Sequence, residues 1–181
     1  MPMRLELKDI KGGVLEQGYS CSLADFPELL AIAQQDGPQY KEPLEFYLRF
    51  QRTGSLVEVD GRVDAVVRLR CGRCLQIFES SISETFALTF TPQSQETEEE
   101  DLELEVEQLG LITYQDETLE LREPLQEQLL LAIPISPVCD SKCLGLCPHC
   151  GVNLNECQCS CVRKPFNNKF SVLADIALKK D

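Results

Sequence analysis

Apolar residues take every second position from Val57 to Leu69: Val57, Val59, Val63, Ala65, Val67 and Leu69, with Gly61 in the middle. Between them stand Glu58, Asp60, Arg62, Asp64 and Arg68, with Val66 the exception. A period of two is that of a strand with one face on a core and the other in water. The same alternation runs through Leu44, Phe46, Leu48 and Phe50, and Gly54-Ser55 marks the turn between the two strands. A further strand is expected over residues 77–91 through Phe78, Ile82, Phe86, Leu88 and Phe90. It would return antiparallel to 57–70, with residues 71–75 at the hairpin tip. Weaker alternation over 4–10 and 14–19 predicts two short strands around the Gly12-Gly13 turn.

Helical spacing is scarcer. Ser22 can cap a helix over 23–33 that Gly37-Pro38 ends, with Pro27 near its start, where a missing N–H costs little. Leu121, Leu125, Leu129 and Ala132 predict a helix from about 119 to 132, stopped by Pro134 and Pro137. Pro124 conflicts with a helix interior and marks either the true start or a kink. Leu102, Leu104 and Val106 alternate with glutamates as an acidic edge strand, and 170–178 reads as a last short helix. The expected class is α+β: an antiparallel β-sheet or partly open barrel with short helices and a C-terminal cysteine-rich zinc-knuckle region. The expected division is a β-rich core at 1–95 and an acidic linker with an edge strand at 96–117. A helix with its proline stop follows at 118–137, then the knuckle and closing helix at 138–181.

Charge changes the picture locally. The 181 residues carry 30 acids and 17 bases, net -13. Almost all of the excess lies in 96–127, which holds 13 acids and one base. Such a block is a solvated surface, a repulsive loop, or a mimic of phosphate toward a basic partner. Residues 128–181 carry net +2, so the global value understates the cationic character of the tail. The longest apolar run, 129–133, is far shorter than the roughly 18 residues of a membrane span. The start of the chain carries Glu6 and Asp9 and no apolar signal-like stretch, so a cytoplasmic protein is expected.

Nine of the ten cysteines fall in two groups: Cys71 and Cys74, and the run Cys139, Cys143, Cys147, Cys150, Cys157, Cys159 and Cys161. Thiolates two residues apart can turn about one metal, and zinc takes four soft ligands in a tetrahedron. Structural Zn2+, one ion or two, is the reading that the CxxC pairs favour in a chain expected in a reducing compartment. Disulfides, an iron–sulfur cluster or a redox dithiol are the alternatives. One division places Cys71, Cys74, Cys139 and Cys143 together, and Cys147, Cys150, Cys157 and Cys159 together. A ribbon-like pairing of Cys71 and Cys74 with Cys147 and Cys150 is equally legal. Cys21 reads as a core thiol, Cys161 as a spare or alternative ligand, and His149 as an exposed turn residue. With a single histidine, no multi-histidine site is possible, and no Walker loop, GxGxxG, GxSxG or HExxH occurs. The chain therefore reads as no enzyme and offers no small-molecule site. Arg62, Arg68, Arg70 and Arg73 follow the solvent face of the long strand toward the knuckle, and with Lys164 and Lys169 they form a candidate phosphate-contacting patch.

Three blocks carry a family resemblance: Val67-Arg-Leu-Arg-Cys71-Gly-Arg-Cys74-Leu75, Leu129-Leu-Leu-Ala-Ile-Pro134, and Cys143-Leu-Gly-Leu-Cys147-Pro-His-Cys150-Gly-Val-Asn153-Leu-Asn155. With Cys157-x-Cys159 and the closing Phe170-Ser-Val-Leu-Ala-Asp-Ile, the chain resembles the YceD family, the large ribosomal RNA subunit accumulation proteins. Where that family has Asp-Pro-Arg before the closing helix, this chain has Asn167, Asn168 and Lys169, which keeps the positive charge and loses the acid. The resemblance implies a non-enzymatic role in synthesis, processing or accumulation of large-subunit ribosomal RNA, in bacteria or in plant chloroplasts. No transit-like segment opens the chain, so a bacterial or mature form is expected. The expected partners are that RNA, or a ribosomal protein or assembly factor, and no membrane. A zinc-stabilised adaptor that meets a basic partner through the acidic block is the second reading, and a zinc-dependent nuclease the third.

Overall fold

The computed structural model describes residues 3–35, 37–93 and 110–161. Its main sheet has five strands, β2 (Val14–Cys21), β3 (Gln39–Thr53), β4 (Leu56–Arg70), β5 (Ile77–Pro92) and β6 (Leu111–Tyr114), in that spatial order. In β4 every inward position from Val57 to Leu69 is buried, as the alternation requires. Its outward face carries Glu58, Asp60, Arg62, Arg68 and Arg70, all exposed. The hairpin β4–β5 runs in unbroken register from Val57↔Phe90 to Arg70↔Ile77. β3 starts at Gln39, earlier than its alternation suggests, because a register irregularity between Lys41 and Glu45 interrupts the pattern at Pro43. Proline has no N–H for the ladder, so an irregularity there is its natural place.

The sheet is mixed, not purely antiparallel. β6 lies parallel to β5, with Thr89↔Leu111 through Pro92↔Tyr114 in register. A parallel neighbour needs a long return of the chain, and the stretch between Pro92 and Leu111 is long enough for one. The edge strands β2 and β6 do not pair with each other, so no closed barrel forms among the described residues. A separate two-stranded ribbon joins β1 (Arg4–Glu6) to β7 (Thr118–Glu120). The expected strand over 4–10 ends at Glu6, because Leu7 donates its N–H to the Glu117 carbonyl at 2.8 Å and the chain then winds into 3-10 turns.

The two helices also start differently from expectation. Residues 23–25 form a 3-10 turn, held where the Ser22 N–H donates to the Asp25 carboxylate at 3.0 Å. Pro27 has no N–H to continue a ladder from that turn, so α1 (Pro27–Gln34) begins with the proline at its first position. Helix α2 (Arg122–Leu131) begins two residues before Pro124, which leaves the proline in the first turn, where an N–H would find no intrahelical partner and its absence costs little. Pro124 therefore marks the start and not a kink.

Both helices contribute to one core. Leu29, Phe26, Phe46, Phe50, Leu121, Leu125 and Leu129 are fully buried, and the Phe26 and Phe46 rings lie 5.9 Å apart. Gln126, the one buried polar residue among the described residues, donates to Glu28 at 2.8 Å, and its carbonyl oxygen accepts the Glu28 N–H at 3.3 Å. Tyr40 donates its hydroxyl to the Leu129 carbonyl at 2.8 Å, fixing the end of α2 to the sheet. The chain leaving α2 is then brought to the β4–β5 tip, where Gly72 donates its N–H to the Pro137 carbonyl at 2.8 Å. Among the described residues no helix is long and apolar enough to cross a membrane. Phe46→Ala is expected to cost about 3–5 kcal/mol, as large-to-small changes at filled core sites do. Urea unfolding measures it, and a loss under about 1 kcal/mol would contradict this packing.

Candidate metal centre

The β4–β5 tip and the segment after α2 bring eight cysteines into two groups of four: Cys71, Cys74, Cys139 and Cys143, and Cys147, Cys150, Cys159 and Cys161. Within each group the sulfurs all lie within 4.8 Å of one another. Metal–sulfur bonds of about 2.3 Å put tetrahedral sulfur–sulfur edges at about 3.8 Å. The Cys71–Cys143 and Cys74–Cys139 separations, 3.9 and 3.6 Å, match such edges. A disulfide would hold its sulfurs at about 2.05 Å, and all of the described cysteines are free thiols.

Two tight turns build the groups, and they share one backbone design. Cys71 donates its N–H to Gln76 and Leu75 donates to Cys71, at 2.8 and 3.0 Å. Cys147 donates to Val152 and Gly151 donates to Cys147, at 2.8 and 2.9 Å. Each turn ends on a left-handed residue, Leu75 at φ 61° and Gly151 at φ 73°. Glycine accepts that conformation freely, whereas leucine is strained in it.

The turns aim N–H groups at sulfur. The N–H of Cys74, followed by those of Cys139 and Arg73, pulls the Cys71 thiol down to about 6. The N–H groups of Cys150 and His149 do the same for Cys147, also to about 6. Donors directed at sulfur favour the thiolate, the form that binds metal. Cys139 and Cys161 resist ionisation. Burial and then the Cys74 sulfur push Cys139 up to about 12, and hydrogen bonding to the Cys150 sulfur followed by burial pushes Cys161 up to about 12. Four sulfurs this close cannot all carry charge by themselves, and a bound cation removes that conflict. The donor set and spacing thus fit a metal ion at each group.

The two groups differ in solvation. Cys71, Cys74 and Cys143 are buried, with Phe78 and Val138 packed on them. In the second group only Cys147 is buried. The Asn155 side-chain N–H donates to the Cys143 sulfur at 3.3 Å, and its oxygen accepts the Leu144 N–H at 2.8 Å, so one amide braces the ligand loop from outside.

The grouping differs from the sequence expectation at one cysteine. Cys157 lies outside both groups, and Cys161 stands where the sequence expectation had Cys157. The chain turns at 153–157, with the Cys157 N–H on the Asn153 carbonyl at 3.0 Å, and leaves the Cys157 thiol exposed. Cys21 is a buried core thiol, pushed up to about 11 chiefly by burial. His149 is exposed on its turn.

The candidate patch divides. Arg62, Arg68 and Arg70 are exposed on the outward face of β4. Arg62 is engaged there by the Asp64 carboxylate and lies 5.7 Å from the Tyr47 ring centre. Arg73 faces the knuckle and donates to the Ser141 and Cys143 carbonyls at 3.3 and 3.1 Å. It tethers the two chain segments, a role that its spacing in sequence does not disclose. Lys164 and Lys169, the acidic strand over 102–106 and the helix over 170–178 lie outside the described residues.

Comparison with known proteins relates the sequence to a described family. The family model described as "Large ribosomal RNA subunit accumulation protein YceD" matches residues 59–177. A Mycobacterium tuberculosis protein carried as uncharacterized is 34% identical over 115 residues, covering 61% of this chain and 51% of its own. The Arabidopsis thaliana chloroplastic YCED homolog 1, named a large ribosomal RNA subunit accumulation protein, is 24% identical over 155 residues, covering 74% and 48%. Its Zea mays counterpart is 25% identical over 153 residues, covering 72% and 52%. The chain spans about half the length of these relatives. No solved structure matches it.

Leu75→Gly tests the strained turn. Relief of roughly 1–2 kcal/mol of left-handed strain outweighs the roughly 0.5–1 kcal/mol that glycine costs in chain entropy. The variant is expected to unfold in urea at the same denaturant concentration or a higher one, and a clear fall in the midpoint contradicts the strain.

Proposed function

The chain belongs to the YceD family of large ribosomal RNA subunit accumulation proteins, and from that membership we propose that it is a cytoplasmic factor supporting the synthesis, processing or accumulation of large-subunit ribosomal RNA. Members of the family are non-enzymatic factors. The observation that carries the reading is the extent of the match, which takes in most of β4, the hairpin tip, α2 and all eight grouped cysteines.

In this reading each cysteine group holds one structural Zn2+ with four thiolates and no open position. Closed coordination leaves the ion without a catalytic role. The first ion would join the tip of the β4–β5 hairpin to the chain after α2, so metal binding would contribute directly to folding. The rigid tip then positions the outward face of β4. Arg68 and Arg70 would meet phosphate, whereas Arg73 is occupied in holding the knuckle and Arg62 is engaged by Asp64. Phosphate contacts of this kind position a protein on RNA without reading its sequence.

Native mass of the purified protein should show two zinc ions per chain, and chelation under reducing conditions should lower the melting temperature. An unchanged melt after complete metal removal would refute a folding role for the ion. Replacing Arg68 and Arg70 with alanine should weaken retention of a large-subunit ribosomal RNA transcript. It should also reduce the dependence of log affinity on log salt by about 1.5, the loss of two phosphate contacts. Unchanged retention, together with lost capture of a ribosomal protein on deletion of residues 96–107, would give the adaptor reading instead.

A further inference from the structure

The two cysteine groups differ in a way that a purely structural role does not require. The first is walled by Phe78 and Val138 and exposes only Cys139. The second exposes Cys150 and half-exposes Cys159 and Cys161. A fifth thiol accompanies it. Cys157 lines the same surface cavity as Cys147, Cys159 and Cys161, is exposed, and belongs to neither group. Oxidation of cysteine follows thiolate character and access, and a neighbouring thiol decides whether the product is reversible.

We infer that the second cysteine group is a peroxide-sensitive modification site, at which oxidation of an exposed ligand sulfur releases the metal and Cys157 traps the product as a disulfide. The inference rests on the reading of that group as a metal site. In the first step a ligand thiolate, Cys150, Cys159 or Cys161, attacks a peroxide oxygen. The sulfur–oxygen bond forms, the oxygen–oxygen bond breaks, and hydroxide leaves to become water on protonation. Sulfur is oxidised by two electrons to sulfenic acid, and the peroxide is reduced. In the second step the Cys157 thiolate attacks that sulfur. The sulfur–sulfur bond forms, the sulfur–oxygen bond breaks, and a second hydroxide leaves and is protonated to water. The net change is two thiols and one peroxide to one disulfide and two waters. With one ligand sulfur oxidised, only three thiolates would remain to hold an ion, and the group's affinity for it would fall. The first group, whose three buried sulfurs are covered by apolar side chains, keeps its ion.

The test uses the full-length, zinc-loaded protein. Hydrogen peroxide is added in the presence of a chromogenic zinc chelator, remaining thiols are then alkylated, and peptides are mapped by mass spectrometry. One ion is expected to leave about tenfold faster than the other, following the difference in exposure. The disulfide should join Cys157 to a cysteine of the second group. Cys157→Ser should still load two ions, because Cys157 is not a ligand, but after peroxide it should accumulate sulfinic acid. It should then reload much less zinc than the parent protein on addition of a thiol reductant and metal. Release of both ions at one rate, a disulfide that omits Cys157, or full reloading by Cys157→Ser would each overturn this inference alone. A protein that binds no zinc after anaerobic loading would overturn the metal reading and this inference with it.

Discussion

The tip of the β4–β5 hairpin meets the chain beyond α2 at four closely spaced sulfurs, and the rest of the site depends on that junction. Cys71 and Cys74 come from the turn between two long strands, and Cys139 and Cys143 from the segment after α2. Backbone and side-chain bonds reinforce the same junction: Gly72 on Pro137, Leu146 on Arg73, and the Arg73 guanidinium on Ser141 and Cys143. The core contributes by delivering the second segment to the tip. Tyr40 fixes the end of α2 against the sheet, and Pro134 and Pro137 keep the following chain from continuing as helix.

The two knuckles show how one backbone solution serves different surroundings. Both close through the same pair of N–H to carbonyl bonds and both end in the left-handed region. Both direct N–H groups at their first cysteine and favour its thiolate. What separates them is solvation, because one knuckle rises from a sheet with apolar neighbours and the other lies among exposed turns. A buried cluster exchanges with solvent slowly and suits a permanent brace, whereas an exposed one answers to chemistry in solution.

The outward sheet face carries mixed charge, and its cations are not equivalent. Arg62 is engaged by Asp64 and Tyr47, and Lys41 pairs with Glu79. Arg68 and Arg70, nearest the tip, remain exposed. Among the described residues, Arg68 and Arg70 place exposed positive charge at the tip end of β4, while Glu58, Asp60 and Asp64 keep the rest of that face mixed.

Periodicity made much of the sheet legible in the sequence. The alternation from Val57 to Leu69 is a local property of the chain, and so are the β4–β5 hairpin and the inward residues of β3, whereas spacing alone leaves open whether Pro124 marks the start of α2 or a kink. β6 and β7 were illegible because strands of three or four residues carry too little pattern, and the parallel pairing of β6 to β5 is a relation between distant segments. The sequence also determined that cysteines would gather at the hairpin tip and near the C-terminus, since CxxC spacing is a local requirement for shared coordination. Only the tertiary structure decided which sulfurs meet. Cys157 and Cys161 both stand two residues from Cys159, so spacing treats them alike; the turn over 153–157 leaves one in solvent and the residues that follow carry the other to the cluster. Arg73 likewise looks like its strand neighbours in sequence and becomes a tether only because the segment after α2 arrives beside it. Local pattern sets which chemistry a residue can offer, and long-range packing sets which atoms it can reach.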